Sequence, residues 1–142
     1  MTSRTVAQKM GIREGRRAYF VGAPKTTLDV MGLPPLDVVP DTGQDVDYIH
    51  LFTTSQARLS EVFPTLRSRL NAKGMLWVSW PKGGQLDTDL SLHHVIRIGY
   101  NHGLVESTCL SVNNTWSALK FTWPKSGKAY NNSHAVLNRN PE

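Results

Sequence analysis

Several things this chain lacks narrow what it can be. It has one cysteine, Cys109, among 142 residues, which excludes an internal disulfide and any cysteine-cluster metal site and suits a reducing compartment. No stretch approaches the length of a membrane span, and the basic N-terminal residues are not followed by the apolar run of a leader, so no membrane partner and a cytoplasmic location are expected. No serine, histidine and acid stand at recognisable positions and no nucleophile-elbow pattern occurs, so a hydrolase triad has no support and no catalytic residue is assigned. No metal site is expected either: His93 and His94 are adjacent, and neighbours on a helix diverge by about 100°.

Acidic charge is scarce at the ends. The net charge is +5, and Arg4, Lys9, Arg13, Arg16 and Arg17 against Glu14 put +4 of it before residue 18. Lys120, Lys125, Lys128 and Arg139 against Glu142 add +3, which leaves −2 for the middle. Basic ends on a slightly acidic body read as solvated termini rather than as a stripe that tracks phosphates, because counterion release needs many cations on one surface.

What the chain has is a pronounced apolar run, Gly74 to Lys82, GMLWVSWPK, with a glycine before it and Pro81, Gly83 and Gly84 at its end. A run of aromatic and branched residues bounded by turn formers reads as a strand buried on both faces, at the middle of a parallel sheet. Around it, helical patterns and strands alternate. A helix over residues 2–10 stops at Gly11, then a strand over 17–21, a short helix over 26–31 broken by Gly32, Pro34 and Pro35, and a strand over 36–39. A strand over 48–52 leads to a helix whose apolar face is Leu59, Val62, Phe63, Leu66 and Leu70, with a kink or two abutting helices at Pro64. Asn71 to Gly74 closes that crossover.

After the central strand, a polar loop over 82–87 is followed by a helix capped by Asp87 or Thr88, buried through Leu92, Val95, Ile96 and Tyr100 and stopped at Gly103. Strands over 105–112 and 116–123 form a hairpin, because the turn between them is too short to cross over. The expected architecture is α/β: a single-domain Rossmann-like three-layer sandwich, mostly parallel, with an antiparallel C-terminal strand at one edge. Residues 1–123 form the domain, and the polar residues 124–142 read as a loosely ordered tail.

From the strand over 48–52 onward the order resembles the second half of a class I methyltransferase fold. One strand and helix are missing between Val39 and Tyr48. In detail, a GIREG segment, an AP pair after the first strand, DYIHLFTTS, GMLWVSWPK, a TDL helix start and a WSALK strand resemble a family of small bacterial proteins, a domain of unknown function, over Val6 to Trp123. That resemblance implies a methyltransferase-like fold and no particular activity. The methyltransferase fold places a glycine-rich loop after its first strand, where the backbone approaches the cofactor. Here the loop is VGAPKTT, so S-adenosylmethionine is not expected in the usual manner. Asp41 stands where that fold carries an acid for ribose hydroxyls, and it also reads as a turn residue.

Ligands of open α/β sheets gather beyond the carboxyl ends of the strands. That rim carries Pro24, Lys25, Thr53, Thr54, Pro81, Lys82, Thr88 and Asp89, with Trp80 at the end of the central strand. Lys25 and Lys82 beside two helix N-termini make a candidate anion site, and solvated loop lysines are the plain alternative. Trp77 and Trp80 point to opposite faces, Trp77 into the core. Trp116 and Lys120 share one face of the last strand and make a candidate partner or homodimer surface, with the lysine guarding an edge. His50 reads as a hydrogen-bonded core histidine and Cys109 as a packed thiol. The leading reading is a non-catalytic domain that binds a small anionic ligand or a protein partner at the rim. The alternative is a divergent S-adenosylmethionine-dependent methyltransferase, and the third reading is a nucleic-acid accessory protein.

Overall fold

The structure, a computed structural model, describes residues 4–141. Its six-stranded sheet has the order β2-β1-β3-β4-β6-β5, made of β1 (Arg17–Val21), β2 (Asp37–Val38), β3 (Val46–Phe52), β4 (Leu70–Pro81), β5 (Val105–Ser111) and β6 (Trp116–Thr122). The first four strands pair in parallel, and β6 runs antiparallel to both β4 and β5. The apolar run therefore lies inside the sheet, flanked by β3 and β6. Leu76, Trp77 and Val78 are fully buried, as the composition of the strand requires.

Alternation along the strands sorts their side chains onto two faces. One face takes Ile49, Leu51, Leu76, Val78, Trp80, Leu119 and Phe121, and it is covered by α3 (Gln56–Arg69) and α4 (Leu92–Asn101). The other takes Ala18, Tyr48, Phe52, Trp77, Trp116 and Ala118, and its helices are only α1 (Val6–Met10) and α2 (Lys25–Val30). The cover is unequal. Fourteen and ten residues of helix pack on the first face, five and six on the second.

Local sequence explains most of the boundaries. Thr5 caps α1 and Gln8 returns the bond to the Thr5 amide, while Gly11 ends the helix at φ 81°, a conformation that costs a residue with a Cβ about 1 kcal/mol or more. The expected start of that helix at residues 2–3 lies outside the described residues. The α3 helix runs unbroken through Pro64, so the expected pair of abutting helices is corrected: the lost amide bond is outweighed by burial of Leu59, Phe63 and Leu66. Between Val39 and Asp45 there is no helix or strand, which is the shortened first half expected from the sequence.

Three other expectations are corrected. The N-cap of α4 is Ser91, not Asp87 or Thr88: Gly83, Gly84, Leu86 and Asp87 all have positive φ, so residues 82–87 make tight turns that delay the helix. Crossover residues 71–74 already belong to β4, which pairs Leu70 with Val46 and then Met75 with Tyr48. The edge of the sheet is β5, not β6. Trp116 is consequently 7% exposed and packs edge-on against Phe52, with ring centroids 5.1 Å apart, and it offers no partner surface. The Cys109 thiol lies on the exposed edge strand rather than packed inside. Among the described residues no helix is long and apolar enough to cross a membrane.

The polar tail after β6 docks on the α3/α4 face. Tyr130, Ala135 and Leu137 pack against that core, the Asn138 amide donates to the Tyr100 carbonyl at 2.9 Å, and the Asn138 side chain donates to Asn101 O at 3.1 Å.

Candidate ligand site at the carboxyl rim

Crossovers leave β1 and β3 in opposite directions, β1 through α2 to one face and β3 through α3 to the other. That makes the gap between their carboxyl ends the switch point, the place where open α/β sheets bind ligands. Gly22, Ala23, Pro24 and Lys25 form its first lip, and Thr53, Thr54 and Ser55 its second. Gly22 has φ +66°, and a Cβ there would sit 2.7 Å from the Phe52 carbonyl oxygen. The glycine is thus required by close approach of the two lips. Pro24 caps α2 without a side-chain hydrogen bond, and Lys25 is exposed. A six-residue helix carries little dipole, so the expected anion site at its N-terminus is weak.

Of the other rim residues, Thr53 is buried and Thr54 half-buried. The second lip is tied to the loop before α4: Thr88 Oγ1 donates to the Thr54 carbonyl at 2.5 Å, the Asp89 amide donates to the same oxygen at 3.3 Å, and the Asp89 carboxylate accepts from the Gln56 amide at 2.8 Å. Asp89 therefore caps α3 from a distant loop, a role that spacing along the chain could not show. Pro81 is buried. Lys82 turns to the hairpin, its ammonium bonded to Ser111 Oγ and its amide donating to the Thr115 carbonyl at 2.7 Å. It opens only a short 3-10 turn, Lys82–Asp87, whose inner residues have non-helical φ/ψ, and no α-helix starts before Leu92, so the pairing of Lys25 and Lys82 at two helix N-termini is corrected. Trp80, 5% exposed, belongs to the α3/α4 core with Leu90 and Val95. It cannot stack on a ligand without unpacking that core.

Beyond β2, the turn Pro40–Gly43 closes with the Gly43 amide donating to the Pro40 carbonyl at 2.9 Å, and Asp41 at its tip is exposed. Arg69 fixes this turn from the end of α3. The residue is 4% exposed, and its guanidinium donates to the carbonyls of Gly43 and Pro40 at 2.7 Å each and lies 4.1 Å from the Tyr19 ring centroid. A planar fork that spans two carbonyls and stacks on a ring is a job for arginine alone.

Sequence reasoning missed one polar chain entirely. His50 is fully buried as expected, but both its nitrogens are engaged: Nδ1 with the Tyr48 hydroxyl and Nε2 with Ser79 Oγ, each at 2.6 Å. The ring also stacks on Phe52 at 4.3 Å. Burial lowers the His50 pKa to about 3 and raises that of Tyr48, so the imidazole is neutral near pH 7. A serine beside a histidine has the makings of a nucleophile and base, yet Ser79 and His50 have no accessible surface, and no substrate reaches them. The signal was the lone serine inside WVSW, one strand away from the lone histidine inside YIHLF.

An open groove of about 780 Å³ lies between α4, Gln56 and tail residues 132–136; it includes none of the expected rim residues. Nearby, His93 and His94 do not diverge, with ring centroids 4.3 Å apart. Among the described residues no three His, Cys, Asp or Glu side chains could hold a metal ion together. Burial and the neighbouring His93 and Arg97 lower the His94 pKa, with Asp89 opposing; burial and then Arg67 lower that of His102.

With β3 and β4 central and an antiparallel strand inserted before the last, the chain has a methyltransferase-like Rossmann fold. Comparison with solved structures agrees. It is similar to precorrin-6y C5,15-methyltransferase from Geobacter metallireducens, with a TM-score of 0.57 and 12% identity over 84% of this chain and 86% of that one. It is similar also to a SAM-dependent methyltransferase from Aquifex aeolicus, with a TM-score of 0.52 and 13% identity over 82% and 86%. A third likeness is to magnesium protoporphyrin IX methyltransferase from Synechocystis with bound SAH, with a TM-score of 0.52 and 11% identity over 83% and 78%. No family model and no curated protein matches the sequence.

Proposed function

We propose that the chain is a divergent S-adenosylmethionine-dependent methyltransferase whose ligand seats over the switch point between β1 and β3. The observation that carries this reading is the sheet order itself: six strands, one antiparallel, with opposed crossovers beside β1, in a fold whose solved neighbours include S-adenosylmethionine enzymes. It reverses the order that the sequence alone suggested. The residues present fit the cofactor in part. Asp41, exposed on a turn that Arg69 holds in place, has a carboxylate free to accept from two ribose hydroxyls, and Lys25 and Thr54 flank the gap. The lip after β1 fits less well, since the space beside Gly22 is filled by the Phe52 carbonyl. S-adenosylmethionine, when bound, supplies a methyl group on a sulfonium; no residue here is assigned as a base.

The second reading, a non-catalytic domain that binds a small anion or a protein partner at the same rim, is favoured by that closed lip. Thermal unfolding with S-adenosylmethionine and with its demethylated product separates the two. Ligand at a hundred times its dissociation constant adds about 2.7 kcal/mol, or about 5–10 °C for a domain of this size, and Asp41→Ala removes most of the gain. No shift with either compound overturns the methyltransferase reading and leaves the binding domain.

A further inference from the structure

The basic N-terminal segment is exposed, as expected, yet two of its cations also line a cavity. Arg13 and Arg16 meet Lys73 from β4 and Lys120 from β6 around one cavity of about 420 Å³ at the amino end of the sheet, on the face covered only by α1 and α2. This is the end opposite the switch point. Lys120 is the telling residue. It pairs with Trp77 in an internal strand, a position where a charge is tolerated only if it reaches water or a counter-charge. Its own face is left uncovered there, because the crossovers from β3 and β4 both go to the other side. Among the described residues none of the four cations has a carboxylate within ion-pair distance, and none of their side chains makes a hydrogen bond. The single carboxylate in the lining, Asp47, already accepts from the Arg17 amide at 3.0 Å. Ile12 and the half-buried Met75 give the cavity an apolar wall.

Four cations against the one carboxylate of Asp47 leave the lining of this concavity with a net charge of +3, which concentrates anions. A cavity of a few hundred cubic ångströms with an apolar wall and a convergent charged set is the size and chemistry of a small-molecule site. We propose that this amino-end cavity binds a phosphorylated small molecule, a phosphate monoester whose dianion lies among Lys73, Lys120, Arg13 and Arg16 and whose carbon skeleton rests on Ile12 and Met75. A dianion is favoured over a monoanion because arginine and lysine here can supply several charge-assisted donors at once. The site is separate from the rim and stands whether or not S-adenosylmethionine binds.

Phenyl phosphate, inorganic phosphate and phenol serve as probes, in calorimetric titration of the full chain at low ionic strength, with a single-stranded oligonucleotide as a fourth arm. The expected result is binding of phenyl phosphate, weaker binding of inorganic phosphate and none of phenol. Lys120→Gln and Lys73→Gln each weaken phenyl phosphate at least fivefold, while Lys25→Gln at the rim leaves it unchanged. Inorganic phosphate as tight as phenyl phosphate overturns the part given to the apolar wall. Equal binding by Lys120→Gln and the unaltered protein, or binding of the oligonucleotide alone, overturns the proposal. A second measurement needs no ligand. Because Lys120 is held among like charges, Lys120→Gln raises the melting temperature at low salt and the gain disappears at high salt; a fall in melting temperature at low salt refutes the crowding of charge on which the site rests.

Discussion

Acid should loosen this protein through His50, and the size of the effect follows from its surroundings. The ring is fully buried, and its two hydrogen-bond partners are the hydroxyls of Tyr48 and Ser79. Each hydroxyl could accept from a charged imidazolium as well as exchange a proton with a neutral ring, so hydrogen bonding does not forbid the charge. Burial does, and it lowers the pKa from 6.5 to about 3. The unfolded chain then binds a proton between those two values that the folded chain refuses. Stability is fully present above the unfolded pKa and falls as pH drops below it, until the folded ring itself titrates. Between pH 7 and pH 5 the loss from this one residue is about 2 kcal/mol, or about 5–8 °C in melting temperature. Urea unfolding at several pH values measures it. The control replaces the whole chain of contacts, His50→Phe with Tyr48→Phe and Ser79→Ala, so that no hydroxyl is left without a partner. His94 and His102 have lowered pKa values too and leave a residual slope in the triple variant. The difference between the two slopes is the quantity predicted, and identical slopes would refute the assignment of the acid sensitivity to burial of His50.

Two substitutions test the packing that positions the rim. A Cβ on Gly99 would lie 2.0 Å from Phe121 Cε1 and 2.4 Å from Cζ, and Phe121 is fully buried with Phe63 edge-on to it, so the ring has nowhere to retreat. Gly99→Ala should cost about 3 kcal/mol despite the better helix propensity of alanine, seen as a lower urea midpoint at unchanged slope; a neutral result would mean that α4 can lift off β6. Arg69→Ala should cost about 2 kcal/mol through two lost charge-assisted hydrogen bonds to the carbonyls of Gly43 and Pro40, and Arg69→Lys should recover less than half. Full recovery by lysine would show that charge, not the fork spanning Pro40 and Gly43, holds the turn.

The elements that could be read in the sequence are those set by local pattern. Five of the six strands fall within a residue or two of their expected places, because each is a run of apolar or alternating residues between turn formers; β4 starts four residues early, at Leu70, but WVSW could hardly sit anywhere but inside the sheet. What could not be read was decided by partners distant in the chain. A strand at the end of the sequence looks like an edge, so Trp116 and Lys120 looked exposed; that β6 inserts between β4 and β5 depends on the register Pro81↔Trp116, which no local pattern encodes. Asp89 looked like a rim residue open to a ligand and instead caps α3. Trp80 looked available because it stands beside Pro81, but β4 is buried through that proline. At the rim the reading recovered the lips of the switch point, since these follow from topology, and misjudged the side chains that seal it.

The convergence of charge at the opposite end has the same origin as the fold's abbreviation. With no helix between Val39 and Asp45, the crossover from β2 to β3 leaves nothing on either face, and the face under α1 and α2 carries eleven helical residues against twenty-four on the other. Apolar side chains at the amino half of β4 and the adjoining carboxyl half of β6 on that thin face would be exposed to water. Lys120 at a position where Leu119 and Phe121 point into the opposite core is the response that hydration demands. That accounts for one cation but not for four against the single carboxylate of Asp47, since water would be satisfied by any polar residue and balanced signs would avoid the repulsion. The gathering of Arg13, Arg16 and Lys73 beside Lys120 leaves the lining a net charge of +3 after Asp47, and the repulsion this carries is relieved when an anion binds the folded chain in preference to the unfolded one.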